Sequence, residues 1–163
     1  MRSRQLPEWR LLWAPKSGGL CVLLCALALP TAAQTVTDGD TLKLNGTTYR
    51  LWGIDAPETK QACADGWRGG IEATKHIREL IEGHTVTCEP RTTDRYGRTV
   101  ALCRADGVDI GAAMVSAGYA WAFVRYSRDY EQQDREAREA HLGIHAHGCE
   151  VAWEYRARIR GDQ

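Results

Sequence analysis

From residue 41 onward, polar and apolar positions alternate. Thr41-Leu42-Lys43-Leu44 and Thr47-Thr48-Tyr49-Arg50-Leu51-Trp52 carry the two-residue period of strands with one buried face. Asn45-Gly46 lies between them and predicts a tight hairpin, because both residues tolerate positive φ. The turn also accounts for the Asn45-Gly46-Thr47 sequon without a glycan. The period then changes. Over residues 66–82, Ile71, Ile77, Leu80 and Ile81 recur at helical spacing with charges between them, and Gly83 stops the run. Residues 85–89 and 98–104 return to strand, joined through the Asp94-Arg95-Tyr96-Gly97 turn. After a second turn at Asp106-Gly107, residues 108–117 and 129–142 predict two more helices, closed by Gly118 and Gly143. Strands and helices are segregated along the chain, which points to an α+β domain around a small, strongly bent sheet.

The N-terminus breaks this pattern. Arg2, Arg4, Arg10 and Lys16 precede an apolar run at residues 20–29 that is short for a membrane span, and Pro30 and Thr31-Ala32-Ala33 follow. This order predicts a secretory signal peptide over residues 1–33. The working domain is then residues 34–163 of a secreted or periplasmic protein with no stable membrane association after cleavage. The chain has 21 basic and 21 acidic residues; without Arg2, Arg4, Arg10, Lys16 and Glu8, 17 and 20 remain. Such a balance excludes a generally basic polyanion binder. Any such binding must come from a local arginine cluster. Four cysteines remain, an even number that predicts two disulfides in an exported chain. Three pairings are open. The strand reading favours Cys88 with Cys103 across one hairpin, which leaves Cys63 with Cys149. His145, His147 and Cys149 offer a zinc alternative, although the chain has no C-x-x-C knuckle.

Two acidic clusters flank the first hairpin: Asp38-Gly39-Asp40-Thr41 enters it and Asp55-Ala56-Pro57-Glu58-Thr59 leaves it. Antiparallel pairing brings the start of one strand beside the end of the next, so Asp40 and Asp55 are expected to face each other. Two close carboxylates repel unless a cation lies between them, and hard oxygen donors suit calcium or magnesium. Pro57 restricts Ala56 to an extended conformation that aims its carbonyl at the same ion. Taken singly, each aspartate is ordinary turn chemistry. Alternation places Arg50, Trp52 and Ile54 on one face, so Arg50 points among apolar groups and needs an anion partner, such as Glu58 or Glu89. Arg91, Arg95 and Arg98 make the most basic loop, suited to phosphate through the guanidinium fork.

Asp-Gly-Asp-Thr at 38–41, Tyr-Arg-Leu at 49–51, Gly-Ile-Asp-Ala-Pro-Glu-Thr at 53–59 and Asp-Arg-Tyr-Gly-Arg at 94–98 occur in that order. In this the chain resembles the thermonuclease family, the staphylococcal-nuclease-like domains, from about Thr37 to about His145. The resemblance implies an α+β fold, a five-stranded OB-type β-barrel with three α-helices. It implies Ca2+ held by Asp40, Asp55 and the carbonyl of Ala56, where the family usually has threonine. It also implies that Arg50 and Arg98 grip the scissile phosphate and that Glu58 acts as general base. Arg95, Tyr96, Phe123 and Tyr126 are then expected along the path of the substrate. The expected protein is a monomeric, secreted endonuclease cutting DNA and RNA to 3′-phosphates. The rival is a catalytically silent OB-type module that only binds nucleic acid or protein; it predicts gaps in the acidic or arginine set.

Overall fold

The alternating segment folds into consecutive antiparallel strands. The computed structural model describes residues 34–161. In it, β1 (Gln34–Asp38), β2 (Thr41–Leu44) and β3 (Thr47–Leu51) pair in sequence. Asn45 and Gly46 turn the β2–β3 hairpin at φ 50° and 86°. After β3 the chain bends at Gly53 (φ 70°) and forms β4 (Ile54–Asp55), which leaves the sheet and pairs with β8 (Trp121–Ala122). The main sheet is completed by β5 (Val86–Thr93), β6 (Thr99–Ala105) and β7 (Val108–Asp109), in the order β1-β2-β3-β6-β5 with β7 beside β6. The β3–β6 contact is parallel and sets Tyr49 opposite Thr99 and Arg50 opposite Val100.

The fold is therefore α+β, as the pattern indicates. Two details differ from the five strands and three helices expected. The main sheet has six strands and its pairing path does not close into a ring among the described residues. From Glu89 to Thr93, β5 is exposed, and β1 is only five residues long. The helices among the described residues are four: α1 (Gly69–Ile81), α2 (Ile110–Ser116), α3 (Glu131–Glu139) and α4 (Ala152–Gly161), with a 3-10 turn at Gly143–His145. Helix α1 starts later than its periodicity suggests, because Cys63 N–H bonds the Trp67 carbonyl at 2.8 Å and holds the preceding residues in a loop. Val108 and Asp109 pair with β6 instead of starting α2, and Asp109 then caps that helix through the Ala112 N–H at 3.1 Å. Helix α4 is additional to the three helices expected. The leader expected at residues 1–33 lies outside the described residues.

The core lies between the sheet and α1 and α2. Leu42, Leu51, Ile54, Ile77, Ile110 and Met114 are almost wholly buried there, each worth about 1.5–3 kcal/mol of burial. A second, smaller cluster joins Trp121, Ile144 and Ala152, with Trp67, Cys149 and Trp153 packed against it. This cluster seats α4.

Two glycines let backbone segments meet at the acidic motifs. A Cβ on Gly39 would lie 2.7 Å from the Ala56 Cβ and 2.8 Å from the Ala73 Cβ. The Asp38-Gly39-Asp40 turn thus packs directly between the second acidic motif and α1. A Cβ on Gly70 would run into the Glu58 carbonyl. Disulfides join Cys88 to Cys103, directly opposite in the β5–β6 ladder, and Cys63 to Cys149 across 86 residues. Loop entropy alone assigns them about 3 and about 4–5 kcal/mol respectively. His147 stacks on Trp67 with ring centroids 4.3 Å apart and bonds Asp65 at 2.6 Å. With Cys149 in a disulfide, the zinc alternative is removed; among the described residues no group of three or more His, Cys, Asp or Glu is placed to hold a metal.

Gly39→Ala forces backbone movement and is expected to destabilise the fold by about 1–3 kcal/mol; a thermal melt unchanged from the parent contradicts this packing. Cys63, Cys88, Cys103 and Cys149 are all expected to resist thiol labelling until reduced, and labelling of any of them in the oxidised native protein contradicts its bridge.

Candidate active site

The two acidic motifs meet, but not by the route expected from the hairpin. Thr41 is opposite Arg50 in the β2–β3 register, and the Asp40 carbonyl accepts the Leu51 N–H at 2.8 Å. Hairpin pairing therefore sets Arg50, not Asp55, next to Asp40. Asp55 arrives from β4, after the Gly53 bend. The face counted through Arg50, Trp52 and Ile54 fails for the same reason, since β3 ends at Leu51.

Arg50 is mostly buried and joins the carboxylates. Its Nη1 is ion-paired with Asp40 Oδ2. Its Nη2 donates to Asp55 Oδ1 at 2.7 Å and to the Ile54 carbonyl at 3.1 Å. The anion partners of Arg50 are thus Asp40 and Asp55, neither Glu58 nor Glu89; Glu89 instead lies 3.4 Å from Arg91. Asp40 Oδ2 also accepts the Ala56 N–H at 3.0 Å, and Asp40 Oδ1 accepts the Thr41 hydroxyl at 3.0 Å. Asp38 Oδ1 accepts the Asp40 N–H at 3.1 Å.

Burial and charge act in opposite directions on these groups. Burial pushes Asp40 up, but the Arg50 guanidinium and the Ala56 N–H outweigh it and hold the carboxyl below its usual range. Asp55 is raised, chiefly by burial, against its bond to Arg156. Asp38 is pushed up to about 6 by burial and then by the Asp40 charge. Burial opposes the charged form of Arg50, yet Asp40 and Asp55 keep it above its ordinary value.

Arg156, on α4, enters the same cluster and was missed by the sequence reading. Its Nη2 donates to Asp55 Oδ2 at 2.7 Å, and its Nη1 to Glu58 Oε1 at 2.7 Å and to Asp55 Oδ1 at 3.2 Å. These carboxylates hold its guanidinium charged against burial. The local signal for its helix was present, since Val151, Tyr155 and Ile159 recur four residues apart among good helix formers. Nothing local points that helix at residues 55–58.

Arg98 immediately precedes β6, and the parallel β3–β6 register sets its neighbour Thr99 opposite Tyr49, the residue before Arg50. Asp94 organises its turn: Oδ1 accepts the N–H groups of Tyr96 and Arg98, both at 2.9 Å, and Oδ2 accepts Arg98 Nε at 2.7 Å. Among the described residues no partner takes the Arg98 Nη groups. Tyr96 is largely exposed, with the Arg95 and Arg98 guanidiniums 4.8 and 5.6 Å from its ring centre.

These groups line one cleft of about 1080 Å³ that includes Asp38, Asp40, Arg50, Ala56, Glu58 and Arg98. Seven arginines and no lysine line it. Arg95, Tyr96, Phe123 and Tyr126 all open onto it, as does Trp153, whose ring stacks 5.5 Å from that of Phe123. Phe123 and Tyr126 are 4.9 Å apart, and Tyr126 is mostly exposed. In kind, Asp40, Asp55 and the Ala56 carbonyl are the hard oxygen donors that a calcium-class ion takes. Both buried carboxylates share one positive group, the Arg50 guanidinium.

Comparison with known proteins places this chain in a family. The staphylococcal nuclease homologue model matches residues 48–147, which include Arg50, Asp55, Glu58 and Arg98 but neither Asp40 nor Arg156. An uncharacterized endonuclease of Escherichia coli O157:H7 is 34% identical over 131 residues, covering 76% of this chain and 82% of its own length. The micrococcal nuclease of Shigella flexneri is 31% identical over 139 residues, covering 74% of this chain and 76% of its own length. The staphylococcal-like nuclease CAN1 of Arabidopsis thaliana is 34% identical over 115 residues, 69% of this chain, which spans only 34% of that relative. With the matched profile running over most of the described domain and the arginine and carboxylate motifs in place, this chain belongs to the family of staphylococcal nuclease homologues.

Proposed function

We propose that this protein is an exported, Ca2+-dependent endonuclease that hydrolyses DNA, with RNA as a second substrate, to 3′-phosphate and 5′-hydroxyl ends. The observation that carries this reading is the pair Asp40 and Asp55 sharing Arg50, with Asp40, Arg50 and Glu58 lining one arginine-rich cleft. Asp40, Asp55 and the Ala56 carbonyl would hold the ion. When bound, it would supply positive charge to a phosphate oxygen and a coordinated water.

The chain's own groups account for the rest. Arg50 and Arg98 bind the non-bridging oxygens and stabilise the negative charge that builds on them as water attacks phosphorus. Glu58 takes the water proton as the phosphorus–5′-oxygen bond breaks, and the departing oxygen takes a proton from solvent. Tyr96, Phe123 and Tyr126 offer rings along the cleft, with Arg95 beside them, which suits unpaired bases better than an intact duplex. The cleft is built within one chain, in keeping with a monomer. Two disulfides favour an oxidising compartment, and among the described residues no helix is long and apolar enough to cross a membrane.

Digestion of heat-denatured plasmid DNA tests this reading. Calcium should support cleavage and a chelator should abolish it; indifference to the chelator removes the cation from the mechanism. Arg50→Ala or Arg98→Ala should slow hydrolysis on the order of 100-fold or more, and Glu58→Gln on the order of 100- to 10,000-fold. A protein that binds the DNA but cleaves none of it under any divalent ion is the silent module instead.

A further inference from the structure

Glu58 lies on the loop between β4 and α1 with its side chain 38% exposed. Among the described residues, the bond from Arg156 Nη1 is the contact that orients its carboxylate. The same guanidinium holds both oxygens of Asp55. One planar fork therefore sets the spacing between Glu58 and Asp55, which the single ammonium of a lysine does not reproduce. Arg156 thus bridges Glu58 and Asp55 with its two Nη groups.

Its own position is imposed from outside the cluster. The Cys63–Cys149 disulfide joins the Glu58 loop to the segment that leads into α4. Gln61 Nε2 donates to the Glu150 carbonyl at 2.5 Å, while Gln61 Oε1 accepts the Glu58 N–H at 3.1 Å. Ala152, at the start of α4, is buried against Trp121 and Ile144. The staple and the Arg156–Glu58 ion pair thus connect the same two segments, one covalently and one at the reacting end.

We propose that Arg156 is a positioning residue for Glu58, delivered by a C-terminal helix that the Cys63–Cys149 bridge staples to the loop carrying Glu58. This rests on the nuclease reading and adds a consequence to it: hydrolysis depends on an oxidised bridge that touches neither substrate nor ion.

Steady-state cleavage of a single-stranded oligonucleotide and Ca2+ titration by calorimetry are to be measured on the full chain, on Arg156→Ala and on Arg156→Lys, each verified as folded by thermal melting. In Arg156→Ala, kcat should fall on the order of 10- to 100-fold with KM unchanged, the signature of a misplaced group. Ca2+ binding should tighten, because a competing positive charge has left Asp55. Arg156→Lys should recover only part of kcat. The double variant Cys63→Ala/Cys149→Ala should show the same kcat loss, and adding Arg156→Ala to it should lose little more, since the two act through one contact. A raised KM with kcat retained, weaker Ca2+ binding in Arg156→Ala, full additivity, or a loss of activity that only follows the loss of folded protein overturns the proposal. A parent protein that binds Ca2+ but cuts nothing overturns the nuclease reading, and the Ca2+ titration of Arg156→Ala still decides the charge relation at Asp55.

Discussion

The site is organised by carboxylates that cannot be buried alone. Asp55 has no exposed side-chain surface and Asp40 very little. A buried carboxylate without a counter-charge takes up a proton or loses the fold's support. Here Arg50 stands between Asp40 and Asp55, and Arg156 between Asp55 and Glu58. Three carboxylates against two guanidiniums leave one negative charge in excess, before Asp38 is counted. The Ca2+ of the proposed function would meet that excess.

The same arrangement resolves the charge problem posed by composition. A chain with equal numbers of basic and acidic residues has no long-range attraction for a polyanion. Seven of its arginines are instead gathered into one concave surface, where low-dielectric walls strengthen their field. Asp94 illustrates the local control: it spends its carboxylate on fixing a turn and on one nitrogen of Arg98, which orients the guanidinium without neutralising its outer edge.

Rigid connections keep this cluster in register. Gly39 and Gly70 allow both acidic motifs to pack against α1 at backbone distance. The Cys63–Cys149 bridge does the equivalent for the C-terminal helix, which has only a small apolar cluster to seat it. Placing reactive groups on loops that are pinned from several sides reconciles a stable core with an accessible site.

The strands, the hairpin turn and the motif residues were legible in the sequence, because alternation, Asn45-Gly46 and the Asp94–Arg98 turn are local signals. The ordered motifs also singled out Asp40, Arg50, Asp55, Glu58 and Arg98 as candidates. The reason for their convergence was not. Simple antiparallel pairing suggested Asp40 beside Asp55, whereas a bend at Gly53 carries Asp55 into another sheet and the long-range β3–β6 pairing brings Arg98 alongside. Arg156 is the clearest case. Periodicity marks its helix, but its partners lie about a hundred residues away and are chosen by a disulfide and a three-residue core, contacts whose energy exists only once the chain has folded.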